Sequence, residues 1–221
     1  MPRPPRSGGD LGNWGRGADS GGRKFAANLD AQVREALASG RLVPDRADSP
    51  SVIRQLKYLG TRTGGDEALL AAGVPKSTLR RWHREGSRPS GANLERVNRA
   101  YWQLRGSNLR FSRGRPLSAE VRGAVAPQVR TRMRGRSITV IPITGEQVHP
   151  QAQGAQQVAA DKHHTASERT MRPSAARWEA FIDTWATGDV EAMDVEWMDY
   201  AGDIDSPPEP YFEVRHVGFM V

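Results

Sequence analysis

The chain has 221 residues, enough for one medium domain or two small ones, but 23 glycines, 15 prolines and a mean hydropathy of −0.64 leave little material for a large core. Cysteine is absent, which excludes disulfides and thiolate metal sites. No apolar run approaches the roughly 18 residues of a membrane span, and none follows the N-terminal arginines as in a secretory signal. We therefore expect a cytoplasmic, nucleoid-associated protein with no membrane contact.

Charge is distributed unevenly along the chain. Residues 1–140 carry 27 Lys and Arg against 11 Asp and Glu, a balance of +16, whereas residues 141–221 carry 5 against 14, a balance of −9. Only four of the cationic residues are Lys. Because Arg forms bidentate hydrogen bonds with phosphate and with guanine edges, this bias predicts nucleic acid as the partner. The alternative is a set of charges that only keeps the chain soluble.

The first 50 residues are predicted to form a loose arm followed by one helix. Residues 1–24 lack apolar periodicity and are expected to be a disordered basic arm. Residues 25–50 are expected to hold an amphipathic helix, ended by Gly40, and then a linker. Four apolar residues of this helix recur on one face: Phe25, Leu29, Val33 and Leu37.

Residues 51–104 are the most regular part of the sequence and predict a bundle of four short helices. The expected helices cover residues 51–59, 66–72, 75–85 and 92–104. Gly60 is expected to end the first of them, Asp66 to cap the second, and Gly73 to end the second at a turn. Apolar stripes at helical spacing, including Trp82 and Trp102, indicate core packing between these helices.

The spacing around Gly73 is that of a DNA-binding helix-turn-helix. A glycine at the turn tolerates a positive φ, and Leu79 and Trp82, six and nine positions later, would seat the second helix on the first. The exposed face of that second helix is then predicted to contact DNA in the major groove through Lys76, Ser77, Thr78, Arg80, Arg81 and Arg84. Leu69 departs from the usual Ala four residues before the glycine. A structural bundle with a solvated basic face is the alternative.

Residues 105–174 are predicted to be an arginine-rich connector with a short strand and a linker. Nine arginines and one acid, Glu120, lie between Arg105 and Arg136, and the sequence is compatible with helical pieces around residues 118–125. Four of these arginines are expected to contact DNA phosphates: Arg130, Arg132, Arg134 and Arg136. Residues 137–144, SITVIPIT, have the composition of a strand, and Pro142 predicts that this strand lies at a sheet edge.

Residues 175–221 are predicted to be a small acidic α+β interaction unit. Its first helix would bury Trp178, Phe181, Ile182 and Trp185, and its last residues would form a strand. The acids between Asp194 and Asp205 have the chemistry to hold Mg²⁺, but the apolar residues among them favour an interaction surface, so no metal or cofactor is predicted. The fold class expected for the whole chain is mainly α, with the arm, the helix-turn-helix bundle, the connector and this unit in order.

The order of these features resembles the telomere terminal proteins of linear actinobacterial replicons. The likeness consists of AGVPKSTLRRWHRE, the helix after it, the arginine-rich stretch, the strand ITVIPITG and the aromatic, acidic end. In that family a side-chain hydroxyl becomes linked to the 5′ end of DNA and primes synthesis. The resemblance implies Thr139 as the candidate priming hydroxyl, with Ser137 and Thr144 as neighbouring candidates, and Pro142 stands where a second strand hydroxyl would be expected.

Two roles for a sequence-specific double-stranded DNA-binding protein stay open, and the arginine-rich connector with its separate acidic C-terminal unit favours the first. One is a telomere terminal protein that caps and primes linear replicon ends, with a DNA polymerase or a telomere-associated protein as partner. The other is a helix-turn-helix transcriptional regulator of a phage or mobile element. Self-association as a homodimer is compatible with both. In neither role is the chain itself an enzyme, because priming would rely on a separate polymerase.

Overall fold

The computed structural model describes residues 19–86, 88–110, 115–145, 163–165, 169–203, 213–219 and 221. These residues are mainly helical. The helices are α1 (Gly21–Ala38), α2 (Val52–Thr61), α3 (Gly65–Ala71), α4 (Lys76–Glu85), α5 (Ala92–Arg110), α6 (Ala119–Met133), α7 (Ala175–Thr187) and α8 (Val190–Asp203). The strands are β1 (Asp19–Ser20), β2 (Ile138–Gly145), β3 (His163–Thr165), β4 (Arg169–Met171) and β5 (Glu213–Gly218).

Two compact units divide the chain. The bundle unit comprises residues 29–132 with Val221, and the sheet unit comprises residues 1–28 and 133–220. Helix α1 supplies its first residues to the sheet unit and its remainder to the bundle unit. This division differs from the domains expected from the sequence, since the predicted connector is split between the two units and the C-terminal residues share a unit with the start of the chain.

Apolar residues of six helices build the core of the bundle unit. The predicted face of α1 is confirmed in this unit, where Leu29, Val33 and Leu37 are fully buried. The predicted core position of Trp102 is confirmed as well, and its indole Nε1 donates to Ser49 Oγ at 2.9 Å. The other large contributors to this core are Leu59, Leu69, Leu79, Val97, Tyr101, Val121, Val125 and Val129.

Several helix boundaries in the bundle unit differ from those predicted. Gly60 lies inside α2 and does not end it, and Gly64, with a φ of 86°, takes the N-cap position of α3 that Asp66 was expected to fill. Helix α5 continues to Arg110, six residues beyond the predicted end. Helix α6 occupies much of the stretch predicted as a connector.

A buried carboxylate explains why this arginine-rich stretch is ordered. Asp30 on α1 is 3% exposed and accepts hydrogen bonds from Arg122 Nε at 3.0 Å and Nη2 at 2.8 Å. The backbone amide of Leu117 donates to the same carboxylate at 2.9 Å, and Arg34, one turn along α1, donates to the carbonyl of Arg115. The segment before α6 and α6 itself are thereby held to α1 by charge-assisted hydrogen bonds.

The sheet unit contains an antiparallel sheet in the order β1, β5, β2, with β3 and β4 both pairing with the far side of β2. The prediction that β2 is an edge strand was wrong. Pro142, which lacks an amide hydrogen, falls between the part of β2 that pairs with β4 and the part that pairs with β3. The pairing with β5 also shifts register between Ile141 and Pro142, so an irregularity accommodates the proline inside the sheet.

Aromatic side chains fill the core of the sheet unit. The predicted inward residues of α7 are all buried, and a second helix, α8, follows it. The ring of Phe25 lies 4.9 Å from those of both Phe181 and Phe219, and 6.1 Å from that of Trp197. The start of α1 therefore packs among the C-terminal aromatics.

The prediction of a disordered arm over residues 1–24 was wrong for its last six residues; residues 1–18 lie outside the described part of the chain. Asp19 and Ser20 form β1, and α1 begins at Gly21. A Cβ on Gly21 would lie 1.8 Å from Trp197 Nε1, and one on Gly22 would lie 2.6 Å from the carbonyl oxygen of Met193. These glycines thus permit close packing of α1 on α8, although the glycine-rich composition of the segment suggested a flexible chain.

Gly106 marks a similar close approach in the bundle unit, and we expect Gly106→Ala to destabilise the protein. A Cβ there would lie 2.5 Å from the backbone nitrogen of Ala38. The clash should outweigh the helix propensity gained and lower the free energy of unfolding by about 1 to 3 kcal/mol. Urea denaturation measures this value.

The matched control is Gly123→Ala on α6, where no atom lies within 4 Å of the new Cβ. This change should raise the free energy of unfolding by about 0.5 to 1 kcal/mol. Equal effects of the two substitutions would contradict the close contact between α1 and α5.

Candidate nucleic-acid interface

The turn between α3 and α4 is built around Gly73. Its φ is 89°, and its amide donates to the carbonyl of Leu70 at 2.9 Å, while the amide of Val74 donates to the carbonyl of Leu69 at 3.0 Å. This pair of bonds is the Schellman motif, which closes a helix with a left-handed residue and an apolar contact. Leu69 and Val74 are both buried, as the motif requires. The turn therefore sets the direction in which α4 leaves α3.

Helix α4 packs on α3 through one face. Pro75 is its N-cap, one position earlier than its predicted place in the first turn. Leu79 is 6% exposed, which confirms its predicted inward position, whereas Trp82 is only half-buried. His83 Nε2 lies 3.1 Å from Asp66 Oδ1, so the C-terminal half of α4 lies beside the first turn of α3.

The opposite face of α4 presents the residues predicted to contact DNA. Five of them are exposed: Lys76, Ser77, Arg80, Arg81 and Arg84. Thr78 is half-buried. Lys76, Arg80 and Arg84 recur four residues apart, so they form one row along the helix. At ten residues the helix is about 15 Å long, and its one carboxylate, Glu85, lies at its end beside Arg84 at 3.3 Å.

The second predicted set of arginines does not form one cationic face. Arg130 and Arg132 lie two residues apart on α6 in the bundle unit, and this spacing directs them to different sides of the helix. The guanidinium of Arg132 donates to the carbonyl of Arg41. In the sheet unit, Arg134 pairs with Glu179 at 2.8 Å, and Arg136 also has a partner. These side chains are already engaged within the protein.

The candidate priming hydroxyl lies in a paired strand. Thr139 stands on β2 opposite Gly218 of β5 and Thr170 of β4. Its side chain is half-buried, and Oγ1 donates to the carbonyl of Gly218 at 3.2 Å. Ser137, just before the strand, is half-buried too, and the side chain of Thr144 lies outside the described residues. The Thr139 hydroxyl must therefore break a hydrogen bond before it can react.

A surface pocket that the sequence analysis missed lies between α2 and α5. It has a volume of about 590 Å³ and is lined by Tyr58, Arg62, Thr63, Arg105, Asn108 and Leu109. Two guanidiniums lie over aromatic rings, that of Arg62 at 5.4 Å from the centroid of Tyr58 and that of Arg105 at 5.5 Å from the centroid of Tyr101. Each arginine follows its aromatic partner by four residues, on a helix or at its end. This spacing is the feature of the sequence from which the two stacked arginines could have been predicted.

Burial and charged or hydrogen-bonded neighbours shift the pKa of Arg105 in opposite directions. Burial, the largest effect, works to lower the pKa of Arg105, but its interactions with Tyr101 and Glu120 together raise that pKa above its ordinary value. Burial also raises the pKa of the Tyr101 phenol. Arg105 donates to the Tyr101 hydroxyl and lies 3.3 Å from the exposed carboxylate of Glu120. The guanidinium of Arg105 is thus a positive charge in the lining of the pocket.

Two acidic residues of α8 are paired with arginines. Glu196 pairs with Arg177 at 3.3 Å, and Asp194 lies 4.0 Å from Arg23. Among the described residues no group of three or more His, Asp or Glu side chains is arranged to hold a metal ion. The side chains of His163, His164, Asp203 and Asp205 lie outside the described set.

We expect Gly73→Ala to destabilise the bundle unit because of backbone strain. The nearest atom to the new Cβ, Arg96 Nε at 3.7 Å, is in ordinary contact, so the φ of 89° is the main cost. A left-handed alanine should lower the free energy of unfolding by about 1 to 2 kcal/mol. Gly73→Asn, which tolerates this conformation better, should cost less in the same denaturation experiment, and equal stability of all three proteins would contradict the role of the turn.

Comparison with known proteins gave no match to a family model, to a curated protein or to a solved structure. None of the helices described here is both long and apolar enough to cross a membrane. The partner of the protein has therefore to be inferred from the chemistry of its own surfaces.

Proposed function

We propose that this protein binds double-stranded DNA sequence-specifically and that α4 is its recognition helix. The observation that carries this proposal is the exposed row of Lys76, Arg80 and Arg84 on a short helix whose other face is anchored by Leu79. A helix of this size fits the major groove, and arginine reads guanine there through its O6 and N7 atoms. A helix that served only to pack within the bundle would not need three arginines on its exposed face.

In this proposal α3 and the Gly73 turn form the first half of a helix-turn-helix, and α4 forms the second. The early residues of α4 and Arg80 are the best placed for base edges, since the N-terminal half of a recognition helix enters the groove. Arg81 and Arg84 would contact phosphates on either side. The basic half of the sequence supplies the long-range attraction that steers such an encounter.

The second arginine set would add phosphate contacts at a cost. Arg134 would have to exchange Glu179 for a phosphate, and Arg132 would have to leave the carbonyl of Arg41. Exchange of one charged partner for another is feasible at an exposed site, where an ion pair contributes about 0 to 1 kcal/mol. We therefore assign specificity to α4 and treat Arg130, Arg132, Arg134 and Arg136 as auxiliary, sequence-independent contacts.

Of the two roles, we favour the regulator of a phage or mobile element. The observation behind this choice is the hydrogen bond from Thr139 to Gly218 inside the sheet, since a primer needs an accessible and mobile hydroxyl. The order of elements still resembles that of the telomere terminal proteins, in which a polymerase would be a further partner. The two roles share the same DNA-binding surface and differ in whether the protein becomes covalently attached to a nucleotide.

Arg80→Ala should weaken binding to the cognate duplex by about 1 to 3 kcal/mol while leaving binding to random duplex nearly unchanged. The reason is that a base-edge contact is lost and most phosphate contacts remain. Fluorescence anisotropy on a selected site and on a scrambled duplex measures both affinities. Arg54→Ala, an exposed arginine of α2, is the matched control and should change neither. If Arg80→Ala lost the same binding free energy on both duplexes, the assignment of α4 as the recognition helix would be contradicted.

A labelling experiment separates the two roles. In protein priming, a hydroxyl oxygen attacks the α-phosphorus of a deoxynucleotide, loses its proton and releases pyrophosphate. We expect the protein to carry no label after incubation with its replicon's polymerase, Mg²⁺ and labelled deoxynucleotide, followed by denaturation. A control reaction on an ordinary primer and template shows that the polymerase is active. Label that survives denaturation and is lost in Thr139→Val would overturn the regulator role and identify the primer.

A further inference from the structure

The pocket between α2 and α5 has the chemistry of an anion site. Arg62 and Arg105 line it, and no acidic residue does. Both guanidiniums lie over aromatic rings, a contact that itself uses no N–H donor. Arg105 also donates to the Tyr101 hydroxyl and to the Glu120 carboxylate at 3.3 and 3.5 Å, so it would exchange Glu120 for a bound anion. Two cations held on aromatic rings are suited to an oxyanion with several acceptor oxygens.

Two hydroxyl groups add hydrogen-bond donors to the lining of the pocket. Asn108 Nδ2 donates to the hydroxyl oxygen of Tyr58 at 3.0 Å, so the proton of that hydroxyl is left to donate to another group. Thr63 adds a second hydroxyl to the lining. The volume of about 590 Å³ exceeds the need of a bare phosphate and leaves room for the groups esterified to it.

Helix α3 links the pocket to α4 along the chain and in space. Thr63 precedes α3 by two residues, and the first turn of α3 carries Asp66, whose carboxylate lies 3.1 Å from His83 of α4. The row of cations on α4 ends at Arg84, the next residue.

We infer that the pocket lined by Arg62, Thr63, Arg105, Asn108 and Tyr58 binds a phosphate group. Its assignment to a backbone phosphodiester of DNA rests on the proposed function of α4; a free phosphate ester is the other source of the same chemistry. Arg62 provides the exposed cation, and Arg105 provides the half-buried one, whose exposed partner Glu120 would be displaced.

The first arm of the test uses the full-length protein and inorganic phosphate. In a nuclear magnetic resonance titration we expect phosphate to shift the Nε–H signal of Arg62 and the side-chain amide of Asn108. Arg62→Ala should abolish the Asn108 shift. Tyr58→Phe, which keeps the ring under Arg62 and removes only the hydroxyl, should weaken phosphate binding several-fold. Arg99→Ala, an exposed arginine of α5 outside the pocket, is the matched control and should titrate as the unchanged protein does.

The second arm measures DNA affinity against salt concentration. Loss of one phosphate contact in Arg62→Ala should reduce the slope of log K against log salt by about 0.9 on cognate and random duplex alike, and Arg99→Ala should not. Phosphate shifts without this change in slope would support the site and identify a free phosphate ester as its ligand. If the protein binds no duplex, the function proposed for α4 fails while the titration still tests the pocket. Identical behaviour of Arg62→Ala and Arg99→Ala in both arms would overturn the inference.

Discussion

The Asp30 carboxylate, only 3% exposed, needs a counter-charge inside the bundle unit, and Arg122 supplies it. An unpaired charge at this depth would cost several kcal/mol, so α6 cannot leave α1 without a large penalty. The same carboxylate accepts the amide of Leu117, which holds the segment that enters α6. With α6 held in place, its apolar face at Val121, Val125 and Val129 can join the core.

The bundle formed in this way supports α4 from one side only. Helices α2, α3 and α5 pack on one another, whereas α4 packs on α3. Its position depends on the closed turn at Gly73, the buried Leu79 and the contact of His83 with Asp66. A helix with so few internal contacts keeps most of its surface for a partner, and on this helix that surface is cationic.

Periodicity and turn chemistry made much of this fold predictable. Leu29, Val33 and Leu37 recur at helical spacing, and Gly73 combines a required left-handed conformation with apolar residues on either side. The C-terminal helices were predictable for the same reason, since Trp178, Phe181 and Trp185 lie on one face of α7. In these segments the local pattern and the tertiary contacts favour the same structure.

Long-range contacts account for what the sequence pattern did not predict. The order of α6 depends on Asp30, 92 residues from Arg122, and glycines 21 and 22 are explained only by α8 packed against them. Pro142 lies inside a sheet because two short strands leave a gap beside it. Arginine-rich composition likewise does not tell which arginines are paired with carboxylates. Arg122 is neutralised in the core, whereas Lys76, Arg80 and Arg84 on α4 face outward. Charge counted along a sequence therefore overestimates the cations available on the protein surface, and the difference is found residue by residue in the structure.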